Sequence, residues 1–99
     1  MGHAGSARTT FVLIARVPAD GVAGFQAYED AVLPLLSEFG GLLERRLRNG
    51  DGTIEVHIVS FGSDQDFQRY RSDPRRAALS HLFEASAAST ERFAMTDVA

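Results

Sequence analysis

The sequence predicts an α+β domain in which a four-stranded antiparallel sheet carries helices on one face. Two observations lead to this prediction. Residues 40–61 form two runs of alternating character joined by Asn, Gly and Asp, which is typical of a β-hairpin. A β-branched run opens the chain, and apolar residues at helical spacing lie on either side of the hairpin. The hairpin is therefore the centre of the predicted sheet.

The first predicted strand covers residues 9–17, which are β-branched, aromatic and apolar on both faces over most of their length. This pattern is expected of a central strand. Pro18 ends the strand, and Asp20 is a candidate N-cap for a helix that runs to Phe39. Because Pro34 removes a backbone hydrogen bond within that helix, we expect the helix to kink or loosen there.

The hairpin allows two registers, and they differ in which charged side chains lie opposite each other. A two-residue turn would place Glu44 opposite Glu55, and like charges directly across a strand pair repel each other. With a turn longer by two residues, Arg46 faces Glu55 and Glu44 faces His57. We therefore predict the second register.

This register divides the hairpin into two faces. The mostly apolar face is predicted to lie beneath the helices and comprises Leu43, Arg45, Leu47, Ile54, Val56 and Ile58. The other face is predicted to be open and comprises Leu42, Glu44, Arg46, Arg48, Glu55, His57 and Val59. Because the open face also receives Val12 and Ile14, we expect an apolar centre with a charged rim. Such a face indicates a homodimer in which two copies stack sheet to sheet.

The second half of the chain begins with a capping box. Ser63 stands three residues before Asp66, which favours the start of a helix. Asp73 and Pro74 are a typical N-cap and first helical residue, so a second helix is expected to open there at an angle. Residues 89–98 alternate again and predict the last strand. The resulting βαββαβ order is the ferredoxin-like arrangement.

Composition limits the partners and the compartment. We predict a single domain at residues 9–98, preceded by residues 1–8 as a disordered segment or a cloning scar. The net charge of −3 argues against nucleic acid and against an anionic membrane surface as partners. No cysteine, signal peptide or membrane-spanning stretch occurs, and we assign the protein to the cytoplasm by default.

Several motifs carry a resemblance to a known family. An F-x-x-Y pattern, a proline and a Gly-Gly pair occur at Phe25, Tyr28, Pro34, Gly40 and Gly41. A Ser-Phe strand end, a Ser-capped helix and an aromatic residue before an Asp-Pro step occur at Ser60, Phe61, Ser63, Tyr70, Asp73 and Pro74. Together, over about residues 10–98, they resemble an uncharacterised family of small bacterial ferredoxin-like domains.

That family is similar to the wider dimeric α/β-barrel superfamily, which includes antibiotic-biosynthesis monooxygenases, muconolactone-isomerase-like enzymes and haem-degrading enzymes. The resemblance implies a dimeric α/β barrel. It implies no particular activity, because the shared motifs are mostly structural. The haem-degrading enzymes use an Asn, Trp and His set, and this chain has no Trp.

Four residues are candidates for chemistry. His57 beside Glu44 could act as a general base that the carboxylate orients, or it could be a structural histidine at a dimer interface. In either case the carboxylate is expected to raise the pKa of His57. Arg46 could hold the register by pairing with Glu55, or it could bind a substrate carboxylate. Tyr28 could direct its hydroxyl at a ligand between the first helix and the sheet, or lie in the core with its tip at the surface.

Other site types find less support. The histidines have no third ligand at helix or hairpin spacing, so we expect no metal site, and no Gly-rich phosphate loop or other cofactor motif occurs. Arg75 and Arg76 in a first helical turn oppose the helix dipole and could bind an acid elsewhere in the fold.

Two functions stay open. One is a small homodimeric protein that binds a compact organic molecule between sheet and helices without catalysis. The other is a cofactor-independent monooxygenase-like or isomerase-like enzyme acting on a small substrate, for example an aromatic one. A closed pocket with converging polar groups would bear on the choice between them.

Overall fold

The computed structural model describes residues 8–98. Four strands form one antiparallel sheet in the order β2-β3-β1-β4, namely β1 (Thr9–Arg16), β2 (Leu42–Arg48), β3 (Ile54–Phe61) and β4 (Ser89–Met95). The first two connections place β1 and β3 side by side in the centre of the sheet. The prediction for the N-terminal segment falls, apart from Arg8, outside the described residues.

The helices are α1 (Val22–Val32), α2 (Asp64–Arg71), α3 (Pro74–Ala78) and α4 (Ser80–Ser86). Two 3-10 helices, Ala19–Gly21 and Leu33–Phe39, stand on either side of α1. This element order and the antiparallel sheet confirm the predicted ferredoxin-like α+β fold. No helix within residues 8–98 has the length and apolarity needed to cross a membrane.

The helix boundaries follow local residue chemistry. The α-helical part of the first arm ends at Val32, and the chain continues around Pro34 as a 3-10 helix, which confirms the predicted loosening. Gly40 ends the arm at φ +70°, a conformation that glycine adopts without strain. The prediction for Asp20 is wrong, since it lies inside the 3-10 turn that Pro18 caps.

The second arm begins and bends as its sequence predicts. The hydroxyl of Ser63 accepts the backbone N–H of Asp66 at 3.1 Å at the start of α2. The Asp73 carboxylate accepts the backbone N–H of Arg75 at 2.7 Å, and Pro74 opens α3. Each cap satisfies a donor that the first helical turn would otherwise leave without a partner.

The hairpin register differs from the prediction by two residues. Arg46 lies opposite His57, and Arg48 lies opposite Glu55. The reason is in the turn, where the Asp51 carboxylate accepts the backbone N–H of Thr53 at 3.0 Å and holds Thr53 out of the strand. The turn is therefore longer than charge alone would predict.

A bulge in β2 also separates Glu44 from His57. Leu43 pairs with Val59 and Arg45 pairs with Ile58, so Glu44 has no partner across the ladder. Its carboxylate accepts the hydroxyl of Ser60 at 2.6 Å, and that hydroxyl also accepts from Arg8 at 2.8 Å. The predicted contact between Glu44 and His57 is wrong.

The helices cover the charged face of the hairpin, which reverses the prediction. A register shift of two residues keeps the parity of the side chains, so the sorting into faces holds along β3 and the part of β2 after the bulge. Glu55 and His57 are 0% and 2% exposed beneath the helices, whereas Leu47 and Ile54 on the open face are 41% and 42% exposed. Charges can lie beneath α1 because acidic side chains on that helix complete a set of ion pairs with them.

Two apolar clusters fill the layer between sheet and helices. One contains Phe11, Leu36, Phe61, Phe67 and Tyr70, and the other contains Ala15, Val17 and Phe25. Side chains of both clusters line a cavity. The packing thus leaves a partly enclosed cavity between the two layers.

Candidate functional site

The cavity between sheet and helices has a volume of about 270 Å³. Most of its wall is apolar and aromatic, with rings from Phe11, Phe25, Phe61, Phe67, Tyr70 and Phe83. Polar side chains reach the same space from Tyr28, Glu29, His57, Arg71, Arg76, Thr90 and Arg92. A mostly apolar cavity with a small set of convergent polar groups is typical of a small-molecule site.

His57 lies on β3 beneath α1, between two carboxylates. Its Nε2 donates to Oε1 of Glu55 at 2.6 Å, and its Nδ1 lies 3.0 Å from Oε2 of Glu29. Burial works against protonation, but the contacts with Glu29 and Glu55 outweigh it and raise the pKa of His57. The pKa of His57 is thus raised, as predicted, but by Glu29 and Glu55 and not by Glu44. The predicted position of His57 at a dimer interface on the open face is wrong.

Glu55 is the centre of a buried network of charges. Its carboxylate accepts Arg46 Nε at 2.5 Å and Arg48 Nε at 2.9 Å, and Arg46 also contacts Asp30 on α1 at 3.0 Å. Burial alone would raise the pKa of Glu55, but the hydrogen bonds from His57, Arg46 and Arg48 lower it to about 2. With Glu29 included, three carboxylates balance three cations.

The hydrogen bonds of this network determine which side chain is free to contact a ligand. Both ring nitrogens of His57 are engaged by carboxylates, so the ring orients these carboxylates instead of acting as a free base. Glu29 lines the cavity and uses Oε2 for His57, which leaves Oε1 for a bound molecule. The carboxylate of Glu29 is therefore the candidate proton acceptor of the site.

Two tyrosines and one arginine form a second polar group at the cavity wall. The Tyr28 hydroxyl accepts Arg76 Nη2 at 3.3 Å, and the Arg76 guanidinium lies 4.6 Å from the centre of the Tyr70 ring. Burial raises the pKa of Tyr70 to about 12, and its hydroxyl donates to the Val32 carbonyl at 3.4 Å. The Tyr70 hydroxyl is therefore a neutral hydrogen-bonding group near neutral pH.

The structure brings together two of the four candidate residues. His57 and Tyr28 line the cavity. Tyr28 lies between the first helix and the sheet, as one of its two predicted positions required, whereas His57 was predicted on the open face. Arg46 belongs to the ion-pair network beside His57 and makes the predicted contact with Glu55. The two residues lie diagonally across the strand pair and not directly opposite each other. Glu44 lies apart from the cavity, on the bulge of β2.

Sequence reasoning missed Glu29, Arg71 and Arg92. Glu29 had a usable signal, since it is a charged residue on the apolar stripe of α1, four positions after Phe25 and three before Val32. The two arginines had none, because each comes from a different element. Within residues 8–98 no group of three or more His, Asp or Glu side chains is arranged to hold a metal ion.

Comparisons with known proteins give matches in structure only. No family model and no curated protein matches the sequence. SnoaB from Streptomyces nogalater, a cofactor-independent oxygenase, is 19% identical with a TM-score of 0.77, covering 93% of this chain and 94% of its own. Rv0793 from Mycobacterium tuberculosis is 16% identical with a TM-score of 0.72, covering 94% and 99%.

A third structure, from Nitrosomonas europaea, is provisionally named an antibiotic biosynthesis monooxygenase. It is 13% identical with a TM-score of 0.76, covering 92% of this chain and 99% of its own. Antibiotic-biosynthesis-monooxygenase-like proteins are thus among the structures that this chain resembles, and at these identities they establish only that the chain shares their ferredoxin-like α+β fold.

Proposed function

We propose that this protein binds a compact, largely aromatic organic molecule in the cavity between sheet and helices. The observation that carries the proposal is a ring-lined space of about 270 Å³ on which Tyr28, Glu29 and Arg76 converge. Cavities for drug-sized ligands hold roughly 300–1,000 Å³, so this one suits a molecule of one or two rings. Aromatic walls favour such a ligand because offset and edge contacts between rings add to the burial of apolar surface.

A second candidate function is catalysis without a cofactor, as an oxygenase or an isomerase. Glu29 supports it, because a carboxylate at the cavity wall can take a proton from an acidic O–H or C–H bond of a ligand. The resulting anion could be reprotonated at another carbon, or it could react with dioxygen. The description of SnoaB as a cofactor-independent oxygenase also favours this candidate.

Binding is tested by titration of 1-naphthol, a neutral two-ring compound whose fluorescence can be excited selectively because the chain has no tryptophan. We expect saturable binding to the natural protein. Val59 lines the cavity, and a Val59→Phe variant fills part of it, so its affinity should be at least about tenfold weaker, or ~1.4 kcal/mol. Val98→Phe is the matched control, because Val98 is 98% exposed.

The same samples separate binding from catalysis. An enzyme should consume dioxygen or convert naphthol faster than buffer does, and Glu29→Gln should remove most of that rate while the affinity stays similar. Binding without any turnover favours the first function. Failure of 1-naphthol and of similar neutral and anionic one-ring and two-ring compounds to bind would reject the cavity as a small-molecule site.

We also propose that two copies associate through the open face of the sheet. Its centre is Val12, Ile14, Val56 and Ile58, which pair across β1 and β3 on the side away from the helices. Around them lie Leu47, Ile54, Phe93 and Met95, each more than 40% exposed. The arrangement favours a two-fold dimer, because large contiguous apolar patches are uncommon on monomers.

Light scattering tests the dimer. At micromolar concentration the natural protein should show about twice the chain mass of 10.7 kDa. Val56→Asp places a carboxylate in the centre of the open face and should give the monomer mass, because an unpaired buried charge is strongly unfavourable. Val98→Asp, at an exposed position, should stay dimeric. A natural protein that scatters as a 10.7 kDa particle would reject the dimer.

A further inference from the structure

The charges on the cavity wall are strongly unbalanced. Four basic side chains line the cavity, namely Arg71, Arg76, Arg92 and His57, of which His57 contacts carboxylates through both ring nitrogens. Glu29 is the single carboxylate among the described residues that line it. Glu29 is already paired with His57. The chain as a whole carries a net charge of −3, so this excess of positive charge opposes the overall sign of the protein.

The three arginines also lack the ion pairs that most other arginines of the chain make. Arg46 and Arg75 each contact two carboxylates, and Arg16 contacts one. By contrast, Arg71, Arg76 and Arg92 form no ion pair with any carboxylate of residues 8–98. An uncompensated cation beside a partly enclosed cavity attracts an anionic ligand.

Aromatic rings hold these guanidinium groups in place instead. Arg76 lies 4.6 Å from the Tyr70 ring centre, while Arg92 and Arg71 lie 4.9 Å and 5.6 Å from the Phe67 ring centre. A cation above a ring interacts through its face, so the N–H groups along its edge stay available for an acceptor.

Arg76 has one donor that is clearly unused. Its Nη1 donates to the Arg71 carbonyl at 3.3 Å and its Nη2 donates to the Tyr28 hydroxyl at 3.3 Å. Its Nε is buried and has no acceptor within residues 8–98. A buried donor without an acceptor is unfavourable, and a ligand oxygen would satisfy it.

We propose that the molecule bound in this cavity is a small aromatic carboxylate, with its carboxylate on Arg76 and Arg92 and its rings among the phenylalanines. The inference rests on the proposed function and adds the charge of the ligand to it. A planar carboxylate matches the planar N–H edge of a guanidinium, which can donate two parallel hydrogen bonds to it.

The test compares 2-naphthoate with 2-naphthamide, which has nearly the same shape without the charge. Fluorescence titration of the natural protein should show naphthoate binding at least about tenfold more tightly at low salt. Added salt should reduce the affinity for naphthoate and leave that for naphthamide nearly unchanged, because only the first contact is between charges. The salt series needs no variant, so it does not depend on any substitution folding.

Matched variants locate the contact. Arg76→Gln and Arg92→Gln should each weaken naphthoate binding about tenfold and change naphthamide binding by less than about twofold. Arg69→Gln is the control, because Arg69 lies on α2 but pairs with Asp66 and does not line the cavity. Circular dichroism before each titration confirms that the variants are folded.

The outcomes distinguish the inference from the proposed function. Equal binding of the acid and the amide would overturn the inference and leave a neutral-ligand cavity in place. Binding of neither compound, together with no binding of 1-naphthol, would overturn both. A loss of naphthoate affinity in Arg69→Gln as large as in Arg76→Gln would show that overall charge matters and not this cavity, and it would also overturn the inference.

Discussion

Glu55→Gln is expected to destabilise the fold by about 3–5 kcal/mol, which is a large part of the stability of a small domain. The side chain of Glu55 is fully buried and contacts Arg46, Arg48 and His57. Glutamine keeps the shape but removes the charge, so three cations lose their shared partner. Urea unfolding followed by circular dichroism measures the loss.

The control is Glu38→Gln. Glu38 lies on the helical layer away from the open sheet face and pairs with Arg75, and both side chains are about half exposed, so its loss should cost far less than the loss of Glu55. Equal effects of the two variants would contradict the assignment of Glu55 as the centre of the network. A Glu55→Gln variant as stable as the natural protein would contradict it as well.

The same network sets the pH range of greatest stability. The folded pKa of Glu55, about 2, is below its ordinary value of 4.5, so its contribution is present above 4.5 and is lost as the pH falls towards 2. The pKa of His57 is raised above 6.5, so its contribution is present below 6.5 and is lost as the pH rises through the folded value. Stability should therefore be greatest between pH 4.5 and 6.5, and Glu55→Gln should flatten the acid side of this profile.

Gly21→Ala is expected to destabilise the fold by about 3 kcal/mol, because there is no room for a side chain where α1 begins against the end of α4. A Cβ atom at Gly21 would lie 2.0 Å from the backbone oxygen of Ser86. Backbone atoms cannot move aside as a flexible side chain can, so α4 would have to shift. Phe83 on α4 lines the cavity, and such a shift should also weaken naphthol binding.

The matched control is Gly24→Ala, three residues further along. A Cβ atom at Gly24 would have 4.0 Å to its nearest neighbour, and alanine is favoured over glycine within a helix by about 0.5–1 kcal/mol. The two substitutions should therefore shift the thermal midpoint in opposite directions. A Gly21→Ala variant that melts at or above the natural protein would contradict the close packing of α1 on α4.

Features that depend on neighbouring residues could be predicted from the sequence. The caps at Ser63 and Asp73 and the loosening at Pro34 all occur as predicted. Each depends on one side chain or one backbone angle within a few positions of the chain. The hairpin and the order of the elements followed from the same kind of pattern, and they were sufficient for the fold.

The register and the covered face depended on distant contacts. The Asp51 carboxylate draws Thr53 into the turn, and the bulge at Glu44 turns that residue away from His57. The alternation of side chains predicted which residues of β3 share a face. It could not predict that α1 would supply Glu29 and Asp30 as partners for the charges on that face, which is why the charged face is the covered one.

The cavity shows the same division between sequence and structure. His57 and Tyr28 could be identified from the sequence, because a histidine on a strand and a tyrosine on a helix have recognisable surroundings. Arg71, Arg76 and Arg92 lie on α2, α3 and β4, and nothing in their local sequence relates them. Only the packing of these elements over Phe67 and Tyr70 brings the three guanidinium groups to one space, because side chains far apart in the chain meet only when the fold closes.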